Sequence, residues 1–453
     1  MIKNINKDFK NSKNRLILFL GKFHSLTREE LEIFLDKFEI TYTDTLDANV
    51  QMFIEATIMS PLEEEIAYEA FKRGIPSYST DQFEKLYAQN LNHNSILMSL
   101  KLSNNQDRLS RLLHNVHLND TLFLKLFNMY DWGEEELFGS SENMEISTLF
   151  AKRFYKKERF DPASFHSPVS IFEIAIINEN AEVLEAMFNL PTLTVKQSRR
   201  GERRPENIKE ALATNPHINS STLKKLLRIN DSGVDYFLAQ NTLIDEKTAI
   251  TLIDRNNAET KMSLSLNENL TDYVFEELLK DTKLYENLLF AQKINMERFS
   301  KIDTLHPNIG ANKNLSNEVI EVLIEKKDIK ILKNFSANES INQDFLQKIY
   351  KLQIEELFSL LATNRHLSQT IIKELYKKNE IEIDKSIAKN PNTPTDILDA
   401  LYKRDIFEIN KSLALNESLS ILHLQQLQLD TRLLNNLKEN RTFTENILNN
   451  LGI

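Results

Sequence analysis

The chain has 453 residues, of which 41% are hydrophobic and 27% charged, a composition typical of soluble globular proteins. Its formal net charge of −10 argues against wholesale coating of nucleic acid or of an anionic membrane, while a local basic patch is still compatible with it. The absence of cysteine excludes disulfides, thiolate metal sites and cysteine nucleophiles, and the 8 glycines are too few for a glycine-rich phosphate-binding fold.

The first 90 residues predict a small α/β domain. Thr27 followed by Glu30 is a capping box that starts a helix. Gly74 marks the end of a second helix. In chain order the pattern predicts strand, helix, strand, strand, helix, strand and helix, at 15–20, 27–35, 40–43, 52–54, 63–71, 75–78 and 79–86.

This segment, residues 13–90, resembles a BRCT domain, the small α/β module of many DNA-repair proteins and bacterial DNA ligases. The resemblance is carried by Gly21 and by the segments 27–30, 70–76 and 79–83. The phosphate-reading form of the family has serine or threonine before the glycine and a lysine opening the second helix. Leu20 and the run Glu63–Glu65 stand there instead, and the usual glycine pair is replaced by Phe38 and Glu39. We therefore expect no phosphopeptide pocket.

An asparagine recurs through the C-terminal half, mostly at steps of 26 residues, and a fixed period in this range predicts a solenoid. One step leads to a degenerate Lys293, and the last step, to Asn440, is 24. The structural repeat asparagines are Asn215, Asn241, Asn267, Asn312, Asn338, Asn364, Asn390, Asn416 and Asn440.

Each repeat predicts two short helices. An apolar residue and a small residue lie three and two positions before the asparagine, as in Leu361 and Ala362. The small residue would let the next helix approach closely. A helix-capping residue usually lies four positions after it, at Asn219, Asp245, Thr271, Ser316, Asn342, Ser368, Ser420 and Thr444, while one repeat shifts the cap to Thr393 before Pro394. A true leucine-rich repeat would need an apolar residue five before the asparagine, where Lys333, Lys385 and Lys411 stand.

The unit Ile387–Leu398 resembles the variant leucine-rich repeat, a helical solenoid related in shape to HEAT repeats, and the resemblance covers roughly 206–453. It implies a mostly α protein, a right-handed α-solenoid of two-helix, roughly 26-residue repeats behind the small N-terminal domain. It also implies a binding scaffold with no chemistry. We expect about nine or ten repeats in 206–453 and an irregular helical insert at 131–205. A possible leading repeat lies in 91–130 at Asn115, and a half-matching copy ends at Asn90.

The insert holds two basic segments. Between 151 and 209 there are 11 basic and 8 acidic residues, whereas the whole chain is acidic. These segments could contact nucleic acid or an acidic partner, or could be plain solvated surface. The candidate contacts are Lys152, Arg153, Lys156, Lys157 and Arg159 on a predicted basic helix, and Lys196, Arg199, Arg200, Arg203 and Arg204 on a predicted loop.

Catalytic constellations are missing from the sequence: it has no Walker A run, no dinucleotide fingerprint and no His-Glu-x-x-His. His114 and His117 are a poor metal pair without a third ligand. The only tryptophan, Trp132, could dock a partner or simply pack, and the latter is favoured. The repeat asparagines are assigned to the amides of turns rather than to a binding ladder.

Two functions remain open at this stage. The first is a cytoplasmic, non-enzymatic scaffold without cofactor or metal, whose concave solenoid face binds a protein. The alternative is a nucleic-acid-associated accessory that uses the basic insert. No membrane partner is expected, because no apolar run reaches ~18 residues.

Overall fold

The computed structural model describes residues 5, 9, 15–22, 25–134, 136–155, 168–194 and 203–451. The described residues contain 28 α-helices and one small sheet, and the protein is mostly helical, at 61%. Two compact units are distinguished, Met1–Phe237 and Leu238–Ile453, and each is described by itself.

The N-terminal sheet is parallel and has the strand order β2-β1-β3-β4. Its core includes Leu18, Phe53 and Ala70, which are almost completely buried. The strands are β1 Arg15–Leu20, β2 Ile40–Thr43, β3 Val50–Glu55 and β4 Ser77–Ser79, and the helices between and after them are Arg28–Asp36, Pro61–Lys72 and Thr80–Gln89. This is the order of elements that the sequence predicts, and the expected small N-terminal α/β region is confirmed.

Each of these three helices begins with a capping box, in which the cap side chain accepts from a backbone N–H while a carboxylate or carboxamide three residues later accepts from the cap's own N–H. The caps are Thr27, Ser60 and Ser79. Local hydrogen bonding therefore determines where the helices start, which is why the sequence locates these starts well.

The rest of the first unit is helical in its described parts. The sequence predicts a basic helix over 152–159, whereas the structure has a helix that ends at Phe154 and an extended Tyr155, and residues 156–159 lie outside the described residues. The helices are His93–Ser103, Gln106–Leu113, Asp120–Phe127, Ser141–Phe154, Pro168–Ile177, Ala181–Phe188, Ile208–Thr214, Ser220–Ile229 and Ser232–Leu238, the last ending at the boundary with the second unit.

The second unit repeats a pair of short helices, here called the first helix, before the asparagine, and the second helix, after it. Its first helices are Ala258–Ser265, Tyr285–Ala291, Ile329–Ala337, Phe358–Thr363, Ile381–Lys389, Phe407–Leu413 and Leu434–Glu439, with a 3-10 helix, Pro307–Ala311, in place of one of them. Its second helices are Glu246–Asp254, Asp272–Leu279, Met296–Ser300, Asn317–Glu325, Gln343–Lys351, Gln369–Tyr376, Thr395–Lys403, Ile421–Leu427 and Arg441–Leu451.

The small position before the asparagine is where first helices meet. A Cβ added to Gly310 would lie 2.4 Å from the carbonyl oxygen of Ile331 on the next first helix, so no larger residue fits without movement. Core side chains between the helix rows, such as Leu361, Leu375 and Ile387, are fully buried and belong to one cluster that runs through this unit.

Most predicted caps act as expected. The side chain of the cap residue accepts a hydrogen bond from a backbone N–H at Asn219, Asp245, Thr271, Asn342, Ser368 and Ser420. Ser316 occupies the cap position without such a bond. Two were wrong. The Thr393 hydroxyl instead donates to Ile387 O, and Pro394 is the N-cap residue, while Thr444 lies inside the final helix. In both cases the threonine hydroxyl donates to a backbone carbonyl earlier in the chain instead of accepting from a backbone N–H at the start of the helix.

A left-handed residue ends many second helices, at a fixed position 15 residues after the asparagine. Asn230, Asn256, Lys327, Gln353, Asn379 and Asp405 all have φ between 49° and 58°. Asparagine and aspartate tolerate this region, but lysine and glutamine do so only at a cost of roughly 1–2 kcal/mol.

Changing Lys327 to glycine is therefore expected to raise the free energy of unfolding by about 0.5–1 kcal/mol, because φ is 54° there and glycine removes the clash of Cβ. The measurement is chemical denaturation of the full chain. Lys326→Gly is the control, since Lys326 has right-handed backbone, and this change should destabilise. Equal effects of the two changes would contradict the argument.

Candidate interaction surfaces

The repeat asparagines form a hydrogen-bonded ladder. The Nδ2 of Asn364 donates to Ser336 O at 3.0 Å and to Asn338 O at 3.1 Å, both in the preceding repeat. Its Oδ1 accepts from the N–H of His366 at 3.0 Å, which closes the turn. Asn364 is 3% exposed, and its two bonds to carbonyl oxygens of the preceding repeat are shielded from water.

The same arrangement recurs through the second unit. In each case the side-chain Nδ2 donates to two backbone carbonyl oxygens, that of the preceding asparagine and that of the residue two before it, at 2.8–3.1 Å. These donors are Asn267, Asn338, Asn390, Asn416 and Asn440. The carboxamide oxygens accept from the N–H two residues on, from Asn241 to Asn416. The turn amides were anticipated from the sequence, whereas the bonds to the preceding repeat were not.

Two positions of the ladder were not predicted from the sequence. Gln292, and not Lys293, fills the apparent gap, because its Nε2 donates to Ser265 O at 2.9 Å and to Asn267 O at 2.7 Å. Glutamine does not match an asparagine pattern, although its carboxamide offers the same donors.

The second missed position is Asn178, inside the insert where the period is interrupted. Its Nδ2 donates to Phe154 O, its Oδ1 accepts from Asn180 N–H, and its own carbonyl accepts from Asn215. Asn115 makes the equivalent turn bond to His117 N–H and reaches Glu84 O. Asn90 instead bonds within its own helix, to Leu86 O.

The first-helix row of the second unit exposes charges that pair with one another. Lys333 Nζ lies 2.7 Å from Glu356 Oε2, on the 3-10 helix Glu355–Leu357 just before the next first helix, and Lys385 Nζ lies 3.0 Å from Glu382. These pairs are well solvated, so each adds little stability.

The candidate basic contacts fall into two groups. Lys156, Lys157, Arg159, Lys196, Arg199 and Arg200 lie outside the described residues. Of the described ones, Lys152 and Arg204 are exposed, and Arg203 stacks over Tyr236 at 4.8 Å from the ring centroid.

Arg153 is part of the packing rather than an open contact. Its Nε lies 2.7 Å from Asp120 Oδ1, another guanidinium N–H donates to Leu118 O, and the group lies over the Phe123 ring. Its side chain is 17% exposed.

Arg298 repeats this arrangement in the second unit, with Asp272, Leu270 O and the Phe275 ring as its partners. In each case the partners of the arginine lie three, five and eight residues along the chain after a repeat asparagine, which is Asn115 for Arg153 and Asn267 for Arg298. Arg153 thus has the structural role of a repeat residue.

His114 and His117 do not contact a common group. His114 Nε2 lies 2.8 Å from Glu145, whereas His117 Nε2 lies 2.8 Å from Asp81. Within the described part of the chain, no group of three or more histidine, aspartate or glutamate side chains could hold a metal ion. No described helix is long and apolar enough to cross a bilayer.

In the N-terminal sheet, the loop after β1 is closed by a carboxylate. The N–H of Gly21 donates to Glu63 Oε1 at 2.9 Å, while Glu63 Oε2 accepts from Ser60 N–H at 2.7 Å. These hydrogen bonds, first those from Ser60 and then that from Gly21, hold the pKa of the Glu63 carboxyl below its usual range. The N–H of Gly21 is therefore already bonded to a negatively charged group.

Trp132 packs against Phe127 and Tyr130, with ring centroids 5.3 and 4.8 Å apart, and Leu137 in the same acidic-aromatic segment is completely buried. Lys209 is a second unusual group, since burial lowers its pKa to about 8 and its amine donates to Phe188 O and Leu190 O at a helix end.

No family model, curated protein or solved structure matches the chain.

Proposed function

We propose that this chain is a cytoplasmic, non-enzymatic scaffold for protein–protein interaction. In this proposal a BRCT-like domain precedes a right-handed, HEAT-like α-solenoid of variant leucine-rich repeats. The observation that carries it is the carboxamide ladder, because buried hydrogen bonds repeated about every 26 residues hold successive helix pairs in register. A stack of this kind presents an extended surface rather than a single cleft.

The proposed partner surface is the first-helix row of the second unit, as its concave face. Close approach of first helices, seen at Gly310, supports curvature toward this row. Its surface combines exposed apolar side chains, such as Ile329 and Ile381 at 41% and 46% exposure, with paired lysines and glutamates. Mixed apolar and ionic surfaces suit a protein partner.

A nucleic-acid role is less favoured. Arg153 and Arg203 are engaged with side chains of the fold, and Lys333 and Lys385 of the first-helix row are paired with glutamates. A polyanion would have to displace those carboxylates. For the BRCT-like domain we propose no phosphate reading, since Glu63 occupies the Gly21 N–H.

The test compares two full-length charge-reversal variants. One changes Lys333, Lys385 and Lys411, on first helices, to glutamate, and the matched control changes Lys348, Lys373 and Lys403, on second helices. Both alter the net charge equally and both sets are at the surface, so both variants should fold like the unmodified protein by circular dichroism. Proteins cross-linked to the chain in its native host would be quantified by mass spectrometry, with and without nuclease.

We expect the first-helix variant to lose the specific partner at least tenfold, and the control to retain it, with no effect of nuclease. Retention by both variants, or loss only from the second-helix variant, would contradict the proposed surface. Loss of all captured proteins on nuclease treatment would support the nucleic-acid alternative.

A further inference from the structure

A cavity of about 230 Å³ lies in the first unit between the helices Arg28–Asp36 and His93–Ser103. Its walls include Phe34 and Ile96 on the apolar side, and the helix Thr80–Gln89 contributes Tyr87.

Tyr87 brings a hydroxyl group with no partner into this cavity. The residue is 5% exposed, and within the described residues its hydroxyl has no hydrogen-bond acceptor or donor. Burial, with the Glu30 carboxylate as a second cause, raises its pKa to about 12, so the hydroxyl keeps its proton at neutral pH. The hydroxyl oxygen keeps contact with solvent in the cavity, so it can donate a hydrogen bond to a ligand that displaces this water.

The charges around the cavity are unequal. Glu30 is the acid of the lining, whereas Arg108 and Lys37 are basic, so the lining carries one excess positive charge. Arg108 Nε lies 2.7 Å from Glu30 Oε1, and Arg111 also shares this carboxylate at 3.4 Å. Two guanidinium groups therefore compete for one acid, and a further monoanion would balance them.

The rim of the cavity continues as an apolar strip. Ile33 is 64% exposed on one helix. Met98 and Leu102, 59% and 81% exposed, follow Ser95 and Ser99 along one face of the other helix. A ligand whose charged end enters beside Tyr87 and Arg108 would thus place an apolar body along Ile33 and Met98.

We propose that this cavity binds a single carboxylate carried on a small apolar body. The Tyr87 hydroxyl and the Arg108 guanidinium receive the carboxylate, and Phe34, Ile96 and the rim contact the apolar part. Phosphate fits less well, because a second negative charge would face Glu30. Free aliphatic or aromatic acids and the C-terminus of a partner chain share this chemistry.

The experiment uses the full chain and N-acetyl-leucine as the probe, with binding followed by NMR line shapes of the probe. We expect saturable binding that N-acetyl-leucinamide lacks, and a Kd raised about tenfold by Tyr87→Phe, since a hydrogen bond to a charged group is lost. Tyr68→Phe is the control, because Tyr68 is 61% exposed and lies on another helix, and it should leave the Kd unchanged.

A thermal melt without probe separates this role from a structural one. Because the Tyr87 hydroxyl has no partner in the described protein, Tyr87→Phe should not lower the melting temperature. An acetylated tripeptide ending in leucine that binds tighter than N-acetyl-leucine would identify a chain terminus as the source, and equal affinity a free acid. Absence of saturation, equal binding of the amide or of inorganic phosphate, or an unchanged Kd in Tyr87→Phe would overturn the proposal.

Discussion

Asn364→Ala is expected to lower the free energy of unfolding by about 3–5 kcal/mol. The change leaves two carbonyl oxygens, of Ser336 and Asn338, and the N–H of His366 without their partner in a buried site. Each unsatisfied buried group costs about 1–3 kcal/mol. Urea denaturation of the full chain measures the effect.

Asn364→Asp keeps the shape of the side chain but replaces its N–H donors by a charged acceptor oxygen. A carboxylate facing two carbonyl oxygens should destabilise at least as much as alanine at neutral pH. The same environment would raise the pKa of this carboxyl in the folded state above its unfolded value. The deficit should therefore shrink as pH falls through the folded-state pKa, since the protonated group regains one donor.

Asn435→Ala is the control for both changes, since Asn435 is exposed on a first helix and its loss should stay within about 0.5 kcal/mol. Amide hydrogen exchange should locate the damage of Asn364→Ala in the neighbouring repeats and leave the N-terminal sheet protected. A loss below 1 kcal/mol at Asn364 would show that the ladder does not hold the helix pairs together.

The second large effect is expected in the core of the second helices. Leu375 and Leu401 occupy the same position of the repeat, 11 residues after their asparagines, and both are 0% exposed. Changing either to alanine should cost about 2–5 kcal/mol through lost contacts and a residual cavity.

Leu422→Ala is the matched control, because Leu422 lies on another second helix but is 68% exposed. The measurement is again chemical denaturation of the full chain. Costs at Leu375 and Leu401 no larger than that at Leu422 would reject the stacked two-helix repeat. A smaller loss of stability at only one of the two sites would instead mean that neighbouring side chains there move into the space left by the leucine.

Much of the local structure could be predicted from the sequence. The capping box at Thr27 depends on residues three apart, and the apolar pattern of Ile371, Ile372 and Leu375 describes one face of one helix. The small residue before each asparagine also pointed to close helix contact, which Gly310 shows directly. These signals are local, so they can be read without knowing what lies opposite.

The sequence by itself determined the helix pairs, their period and the order of elements in the N-terminal sheet, because hydrogen bonding and amphipathic spacing act within a few residues. Only the tertiary structure decided that Gln292 and Asn178 extend the ladder, that Arg153 belongs to the packing, and that Thr393 bonds to a carbonyl instead of capping. It alone brought Tyr87, Glu30 and Arg108 around one cavity. In each case the partner is distant in the chain or is a backbone carbonyl. Every residue has a backbone carbonyl, so the identities of the residues do not show which one is bonded.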